Sequence, residues 1–311
     1  MGINNNNSDK NISEEEKICL SLFEFVEHLF FKDVNKESFD TNSIKDRLDI
    51  DVLYGMIKKI MQNVRDNHCN LMLALMDGKY PKNNNYIYYH TVRTTIIALI
   101  IGNQLKMPTH KLVELGVAAL LHDIGMIMIP EQLYLRSGPL TKEEKQTIKN
   151  HPVYGYKLLE PYSLPPAIKL AVLEHHERED GAGYPQKTAK KAISQYGKIV
   201  ALACSYEASS SKRVYKESFD LHAGLIDILK CKGKYCNTVV QALVNSLSVY
   251  PVGLYVLMSN GKRGRVIDVD PLDPRFPIVA LLGEKNSEGK DAVQNTFSNG
   301  LYIVRPLQKD E

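Results

Sequence analysis

Helical periodicity runs almost without interruption through the middle of the chain. Between His90 and Tyr250, apolar residues recur at intervals of three and four, which is the spacing of one face of an amphipathic helix. Thr141 and Glu144 form a capping-box pattern, which predicts a helix start, and a pair of prolines at 165–166 opens a further helix. This succession predicts a mainly α protein built around a helical bundle.

The two ends of the chain have different patterns. Residues 1–13 are polar and rich in asparagine, which predicts a disordered leader, and residues 14–79 carry two amphipathic stretches, which predict an N-terminal helical region. After Tyr250, short β-prone runs separated by turn residues begin with a hairpin pattern around Asn260-Gly261. We therefore predict a small β appendage at 249–311 and a main helical domain at 80–248.

Composition excludes several classes of protein. The 311 residues include 39 basic and 36 acidic side chains, and the net charge of +3 argues against a strongly basic protein that coats DNA or RNA. Five cysteines without a C-x-x-C pair do not suggest a disulfide framework. The longest apolar runs are much shorter than the roughly 20 residues of a membrane span, and the N-terminus lacks the apolar segment of a secretory signal. We expect a cytoplasmic protein with no membrane span.

Five of the histidines in the helical middle form a candidate set, and one of them directly precedes an aspartate. The set consists of His90, His122 with Asp123, His151, and the pair His175 and His176. Neutral imidazoles and a carboxylate suit iron, manganese or zinc, and one carboxylate can bridge two ions. The spacing therefore favours a two-metal site.

Three segments around these histidines resemble the HD-GYP family of bacterial cyclic di-GMP phosphodiesterases, a branch of the HD metallohydrolase superfamily. They read HDIGM at 122–126, HPVYG at 151–155 and HHEREDGAGYP at 175–185. The resemblance spans about residues 80 to 220. It implies an all-helical catalytic domain, a bi- or trinuclear iron or manganese centre, and hydrolysis of cyclic di-GMP to the linear dinucleotide or to GMP by a metal-bridged hydroxide.

The resemblance also implies roles for individual residues. Asp123 would bridge the metals and, with His122, carry the catalytic function, and Tyr86 replaces the glutamate of trinuclear members, which favours two ions. These ions would be iron or manganese, with zinc as an alternative. The implied metal positions are His90, His122, Asp123, His151, His175, His176 and Cys204. The implied substrate positions are Gly183, Tyr184 and Pro185 in the signature loop, and Arg213 and Lys216 for the phosphates.

Two of these positions depart from the family pattern. Met126 stands where the family has a lysine, so we expect slower turnover, although a methionine there can also fill an apolar gap. Cys204 stands where the family has a metal-binding aspartate. It is either a thiolate ligand suited to zinc or ferrous iron, or a small buried apolar residue on a face with Val200 and Ala208.

The leading prediction is a metal-dependent cyclic di-GMP phosphodiesterase with reduced activity. The alternative is a degenerate member that binds cyclic di-GMP or a protein partner without turnover. Seven basic residues and one acidic residue lie between 186 and 216, which suits an anionic ligand, although Lys187 to Lys191 also fit a solvated face. The N-terminal helices are predicted to pair two copies into a homodimer.

Overall fold

The computed structural model describes residues 12–31, 47–77, 86–136, 138–211, 221–270, 273, 276–296 and 300–307. As predicted, the protein is mainly α with a C-terminal antiparallel sheet. The helices are α1 (Glu14–Phe31), α2 (Ile50–Asp77), α3 (Tyr86–Gln104), α4 (Thr109–Leu121), α5 (Glu131–Tyr134), α6 (Lys142–Lys149), α7 (His151–Leu159), α8 (Pro166–Glu174), α9 (Gln195–Ser210), α10 (Leu221–Lys230) and α11 (Asn237–Leu247), with 3-10 turns at Ile124–Met128 and Lys190–Ala192. Among the described helices, none has both the length and the apolarity needed to cross a bilayer.

Local sequence signals set several helix ends. Thr141 accepts a hydrogen bond from the backbone of Glu144, whose carboxylate accepts one from the Thr141 backbone, so the predicted capping box is confirmed at the start of α6. Ser194 caps α9 by accepting from the Gly197 N–H. Pro166 occupies the first position of α8, where its missing N–H costs nothing.

Helix α2 is kinked at Asn67. The backbone there has φ −162° and ψ 87°, outside the helical region, and the Asn67 side chain accepts from the Asn70 N–H 3.1 Å away. Asn67 therefore caps the second half of the helix. Beyond the kink, Cys69 belongs to a second apolar cluster, whereas Leu71 and Leu75 stay in the main cluster with Leu53 of the first half.

One large apolar cluster holds the helices together. It runs from α1 to α11 and includes residues of the N-terminal helices such as Leu22 and Ile57. The contact between α2 and α4 is close, because a Cβ added to Gly116 would lie 2.5 Å from Ile57 Cγ2. The described N-terminal helices thus share a core with the predicted main domain. The boundary predicted near residue 80 lies outside the described residues, as do residues 1–11 of the leader predicted at 1–13, and the four domain limits stay a prediction.

The C-terminal sheet has the strand order β4-β3-β2-β1-β5, with every neighbouring pair antiparallel. Its strands are β1 (Tyr255–Met258), β2 (Arg263–Val269), β3 (Pro277–Lys285), β4 (Asp291–Asn295) and β5 (Ile303–Leu307). The predicted hairpin is confirmed, with Val256 opposite Gly264. Strand β4 was not predicted, because its sequence DAVQN is mostly polar and it lies at an edge of the sheet. Cys69 packs from α2 into the small core under this sheet.

Candidate metal centre

Three of the histidines stand at helix C-terminal ends. His122 follows α4, His175 follows α8, and His151 comes two residues after α6. The last carbonyls of a helix lack backbone donors, and each ring supplies one by donating from Nδ1 to the carbonyl three residues earlier. These carbonyls belong to Ala119, Val172 and Ile148, each 2.7 Å from its ring nitrogen. Because a carbonyl only accepts, each Nδ1 carries a proton, which leaves Nε2 as the nitrogen that can bind a metal.

His90 is held in the same way by a carboxylate. It lies on α3, and its Nδ1 is 2.5 Å from Oε2 of Glu207 on α9. Glu207 is buried and also accepts from the Ser211 hydroxyl, with Arg93 Nη1 3.6 Å from its second oxygen. A carboxylate behind a ligating imidazole fixes its tautomer and raises its basicity. This arrangement turns Nε2 of His90 toward Nε2 of His122, 3.3 Å away.

Asp123 lies between two pairs of histidines. Its Oδ1 is 3.2 Å from Nε2 of His151 and 3.5 Å from Nε2 of His175. Its Oδ2 is 3.3 Å from Nε2 of His122 and 3.5 Å from Nε2 of His90. Each carboxylate oxygen therefore faces a different pair, as a bridging ligand requires.

The described residues form two donor groups that can each hold a metal ion. One group contains Asp123, His151, His175 and His176, and the other contains His90, His122 and Cys204. Within each group the donor atoms lie within 4.8 Å of one another, and Sγ of Cys204 is 3.5 Å from Nε2 of His90. All seven positions implied by the resemblance come together in one place.

Without metal, the electrostatics favour the ligating form at some of these side chains and the protonated form at His90 and His122. Burial would raise the pKa of Asp123, but His122, His151 and His175 hold it well below its usual range. Burial lowers the pKa of His175 to about 4, and burial together with the neighbouring His175 lowers the pKa of His176 well below its usual range. Burial opposes ionisation of Cys204, yet His90 and His122 bring its pKa down to about 7. Burial lowers the pKa of His90 and His122, but the neighbouring anions outweigh it: Cys204 and Glu207 raise the pKa of His90 well above its usual range, and Asp123 raises that of His122 to about 9. Metals bind the neutral imidazole, so these two rings release their extra protons on metal binding, whereas Asp123, His175 and His176 already favour their ligating forms.

The signature loop folds back over His176. A Cβ added to Gly183 would lie 2.6 Å from backbone atoms of His176, Glu177 and Arg178, so only glycine fits there. The next residue, Tyr184, donates its N–H to the His176 carbonyl at 3.1 Å and stacks its ring on the imidazole, with centroids 4.6 Å apart. The loop of Gly183, Tyr184 and Pro185 therefore borders the metal centre.

Glu177 is a supporting residue that the sequence analysis did not identify. It is 2% exposed, and its carboxylate accepts from the Gln186 N–H at 2.6 Å and the Thr188 N–H at 3.0 Å. These bonds hold the end of the signature loop against the segment that carries His175 and His176. The sequence feature that could have identified Glu177 is its position directly after the pair His175 and His176.

The other positions named from the sequence range from buried to exposed, and two lie outside the described residues. Met126 is 3% exposed and belongs to the main apolar cluster, which agrees with the interpretation that it fills an apolar gap. Tyr86 is exposed, and its ring centroid is 6.5 Å from that of His90. Arg213 and Lys216 lie outside the described residues. Among the described cations, Lys149 places Nζ 5.4 Å from the Tyr184 ring centroid, while Lys187, Lys190 and Lys191 are exposed.

Two curated relatives match at similar identity. The chain is 32% identical over 232 residues to the cyclic di-GMP phosphodiesterase PdeB of Borreliella burgdorferi, covering 73% of this chain and 61% of that protein. It is 32% identical over 202 residues to the cyclic di-GMP phosphodiesterase PA4108 of Pseudomonas aeruginosa, covering 65% of this chain and 48% of that protein. The chain therefore spans less than two thirds of the length of either relative.

A solved structure and a family profile complete the comparison. Bd1817, an HDG"Y"P protein from Bdellovibrio bacteriovorus, superposes with a TM-score of 0.56 at 19% identity, covering 76% of this chain and 73% of that one, so the fold is shared. The profile of the HD domain family matches residues 81–237, half of the 311 residues. This matched region contains every donor of the two groups. The chain belongs to the HD domain family.

Proposed function

We propose that this protein is a metal-dependent phosphodiesterase that hydrolyses cyclic di-GMP to the linear dinucleotide or to GMP. The observation that carries the proposal is the position of Asp123, whose two oxygens face different histidine pairs. A phosphodiester is attacked efficiently where two ions share one bridging ligand. The HHEREDGAGYP segment and the two cyclic di-GMP phosphodiesterase relatives support this substrate.

The donor set fits two divalent ions, for which we propose iron or manganese, with zinc as the alternative. Every imidazole whose Nδ1 contacts a carbonyl or carboxylate already turns Nε2 toward the other donors, so metal binding requires loss of any Nε2 proton but no reorientation of those rings. When bound, such ions supply Lewis acidity that neutralises phosphate charge and lowers the pKa of water. We assign the metal ligands to His90, His122, Asp123, His151, His175, His176 and Cys204.

The side chains around the donors position the substrate. Asp123 and His122, the proposed catalytic pair, stay rigid because His122 is anchored to the Ala119 carbonyl. Tyr184 offers an aromatic face beside His176, and its loop is fixed by the hydrogen bonds of Glu177. We propose that Lys149 attracts the anionic substrate to this face, since its ammonium lies over the Tyr184 ring.

Arg213 and Lys216 remain the proposed phosphate-binding residues from the sequence pattern. The buried Met126 supplies no cation, so we propose that turnover is slower than in a protein with lysine there. Loss of one positioned electrostatic group typically lowers the rate about a hundred- to a thousandfold.

A cytoplasmic location is supported by five free cysteines, which stay reduced there. Homodimerisation through the N-terminal helices stays a prediction, which light scattering of the purified protein measures.

The experiment is hydrolysis of cyclic di-GMP by protein reconstituted with Fe²⁺ or Mn²⁺. We expect product from the wild type and none above background from Asp123→Ala or His122→Ala, with metal content reduced in both variants. His110→Ala is the matched control, because His110 is exposed and outside both donor groups. It should retain wild-type turnover.

Three results contradict the proposal. Tight binding of cyclic di-GMP by calorimetry without hydrolysis at any metal loading would identify a binding module instead. Turnover of a cyclic dinucleotide containing adenine in preference to cyclic di-GMP would assign a different substrate. Wild-type and Asp123→Ala proteins with equal activity would show that hydrolysis comes from a contaminant.

A further inference from the structure

The two donor groups differ in chemistry. We call Oδ1 of Asp123 with His151, His175 and His176 the carboxylate half-site, because all of its donors are oxygen or imidazole nitrogen. We call His90, His122 and Cys204 with Oδ2 of Asp123 the thiolate half-site, because it contains a sulfur donor. The metal preferences of the two half-sites therefore need not be the same.

The distances in the thiolate half-site match tetrahedral coordination. Metal–nitrogen bonds of about 2.0–2.1 Å and metal–sulfur bonds of about 2.3 Å place two nitrogens about 3.3 Å apart and nitrogen and sulfur about 3.6 Å apart at the tetrahedral angle. The structure has 3.3 Å between Nε2 of His90 and His122, and 3.5 Å between Nε2 of His90 and Sγ of Cys204. Oδ2 of Asp123 lies 3.3 and 3.5 Å from the same two nitrogens. These four of the six donor–donor distances therefore fit one tetrahedral shell.

The surroundings of Cys204 argue against a purely apolar role. On the same helix, Val200 and Ala203 belong to the main apolar cluster. Cys204 does not belong to it, although this residue is buried, with only 5% of its surface exposed. Ala208, which would continue an apolar face, is exposed. The sulfur faces the imidazole of His90, so Cys204 borders the donor groups of the candidate metal centre.

We propose that Cys204 is a thiolate ligand and that the thiolate half-site selects a thiophilic divalent ion, Zn²⁺ or Fe²⁺, and discriminates against Mn²⁺. The carboxylate half-site accepts Mn²⁺ as well, so the centre can hold two different metals. This inference rests on the proposed metal centre but not on whether the centre hydrolyses cyclic di-GMP. Its chemical basis is that thiolates favour zinc and ferrous iron, whereas carboxylate and imidazole donors also suit manganese.

The test uses Co²⁺ added to metal-free, reduced full-length protein, because a thiolate bound to Co²⁺ gives a sulfur-to-cobalt charge-transfer band in the near ultraviolet. We expect the band in the wild type and its loss in Cys204→Ala, with one fewer ion bound by elemental analysis. Cys69→Ala is the matched control, since Cys69 is equally buried but lies in the core under the sheet. It should keep the band and the wild-type metal content.

A second variant tests selectivity in a protein that restores the carboxylate of the family pattern. Cys204→Asp should bind Co²⁺ without the charge-transfer band and bind Mn²⁺ at this half-site about 10- to 100-fold more tightly than the wild type. Electron paramagnetic resonance of Mn²⁺ counts the bound ions. Equal Mn²⁺ affinity in the two proteins would overturn the selectivity.

The outcomes separate this inference from the proposed function. Wild-type protein that binds Co²⁺ in both half-sites without the charge-transfer band overturns the thiolate ligand, while hydrolysis of cyclic di-GMP by that same protein leaves the proposed function standing. A band that depends on Cys204 without any hydrolysis supports the thiolate ligand and contradicts the phosphodiesterase. A band that survives Cys204→Ala also overturns the inference.

Discussion

Adding a single methyl group at Gly125 should separate parts of the metal centre from each other. It lies in the 3-10 turn Ile124–Met128, two residues after Asp123. A Cβ added there would be 1.9 Å from the carbonyl oxygen of His151 and 2.5 Å from the backbone nitrogen of Gly155. Both atoms belong to the backbone of α7, so no side-chain rotation relieves the clash.

The size of the displacement follows from these distances. Ordinary contact begins at 3.4 Å, so the turn and the start of α7 have to separate by about 1.5 Å. Metal–ligand distances tolerate only about 0.2 Å, and His151 is part of the displaced backbone. Gly125→Ala should therefore weaken the carboxylate half-site and lower the free energy of unfolding of the metal-free protein by about 1–3 kcal/mol, the usual cost of overpacking.

Urea unfolding of metal-free protein and elemental analysis of reconstituted protein measure the two effects. The matched control is Gly55→Ala on α2, where an added Cβ meets nothing within 4 Å. Because alanine is the better helix former, this control should gain about 0.5–1 kcal/mol and keep its metals. Gly125→Ala protein with wild-type stability and metal content would refute the reasoning.

Three further predictions concern support, capping and metal removal. Glu207→Gln removes the carboxylate behind His90 and should weaken metal binding about 10- to 100-fold, measured in competition with a chromophoric chelator. Unchanged metal affinity would show that the Glu207 carboxylate is not needed to orient the His90 ring. Thr141→Ala removes the capping box with Glu144 and should cost about 1 kcal/mol in urea unfolding without changing hydrolysis; a loss of activity would contradict a purely local role. Chelation should lower the unfolding temperature, since ions that bind only the folded state stabilise it by about 2.7 kcal/mol at a hundred times their Kd; the same chelator should leave Asp123→Ala unaffected.

Much of the architecture is readable from local sequence. The capping box at Thr141, the proline at the start of α8 and the Asn260-Gly261 hairpin act over a few residues, so their structures were predicted correctly. Strand β4 was not, because its pairing with β3 comes from backbone hydrogen bonds at a sheet edge rather than from an apolar pattern. The kink at Asn67 was also missed, since apolar spacing continues through it.

The sequence alone selected the donor side chains that the fold brings together, because donor type and the HHEREDGAGYP segment are properties of the chain itself. It left Cys204 open between a ligand and an apolar residue. Only the tertiary structure assigned each oxygen of Asp123 to its own pair of histidines and turned the sulfur of Cys204 toward His90. The reason is distance along the chain: His90 meets Glu207 across 117 residues, and packing of whole helices decides which atoms face each other.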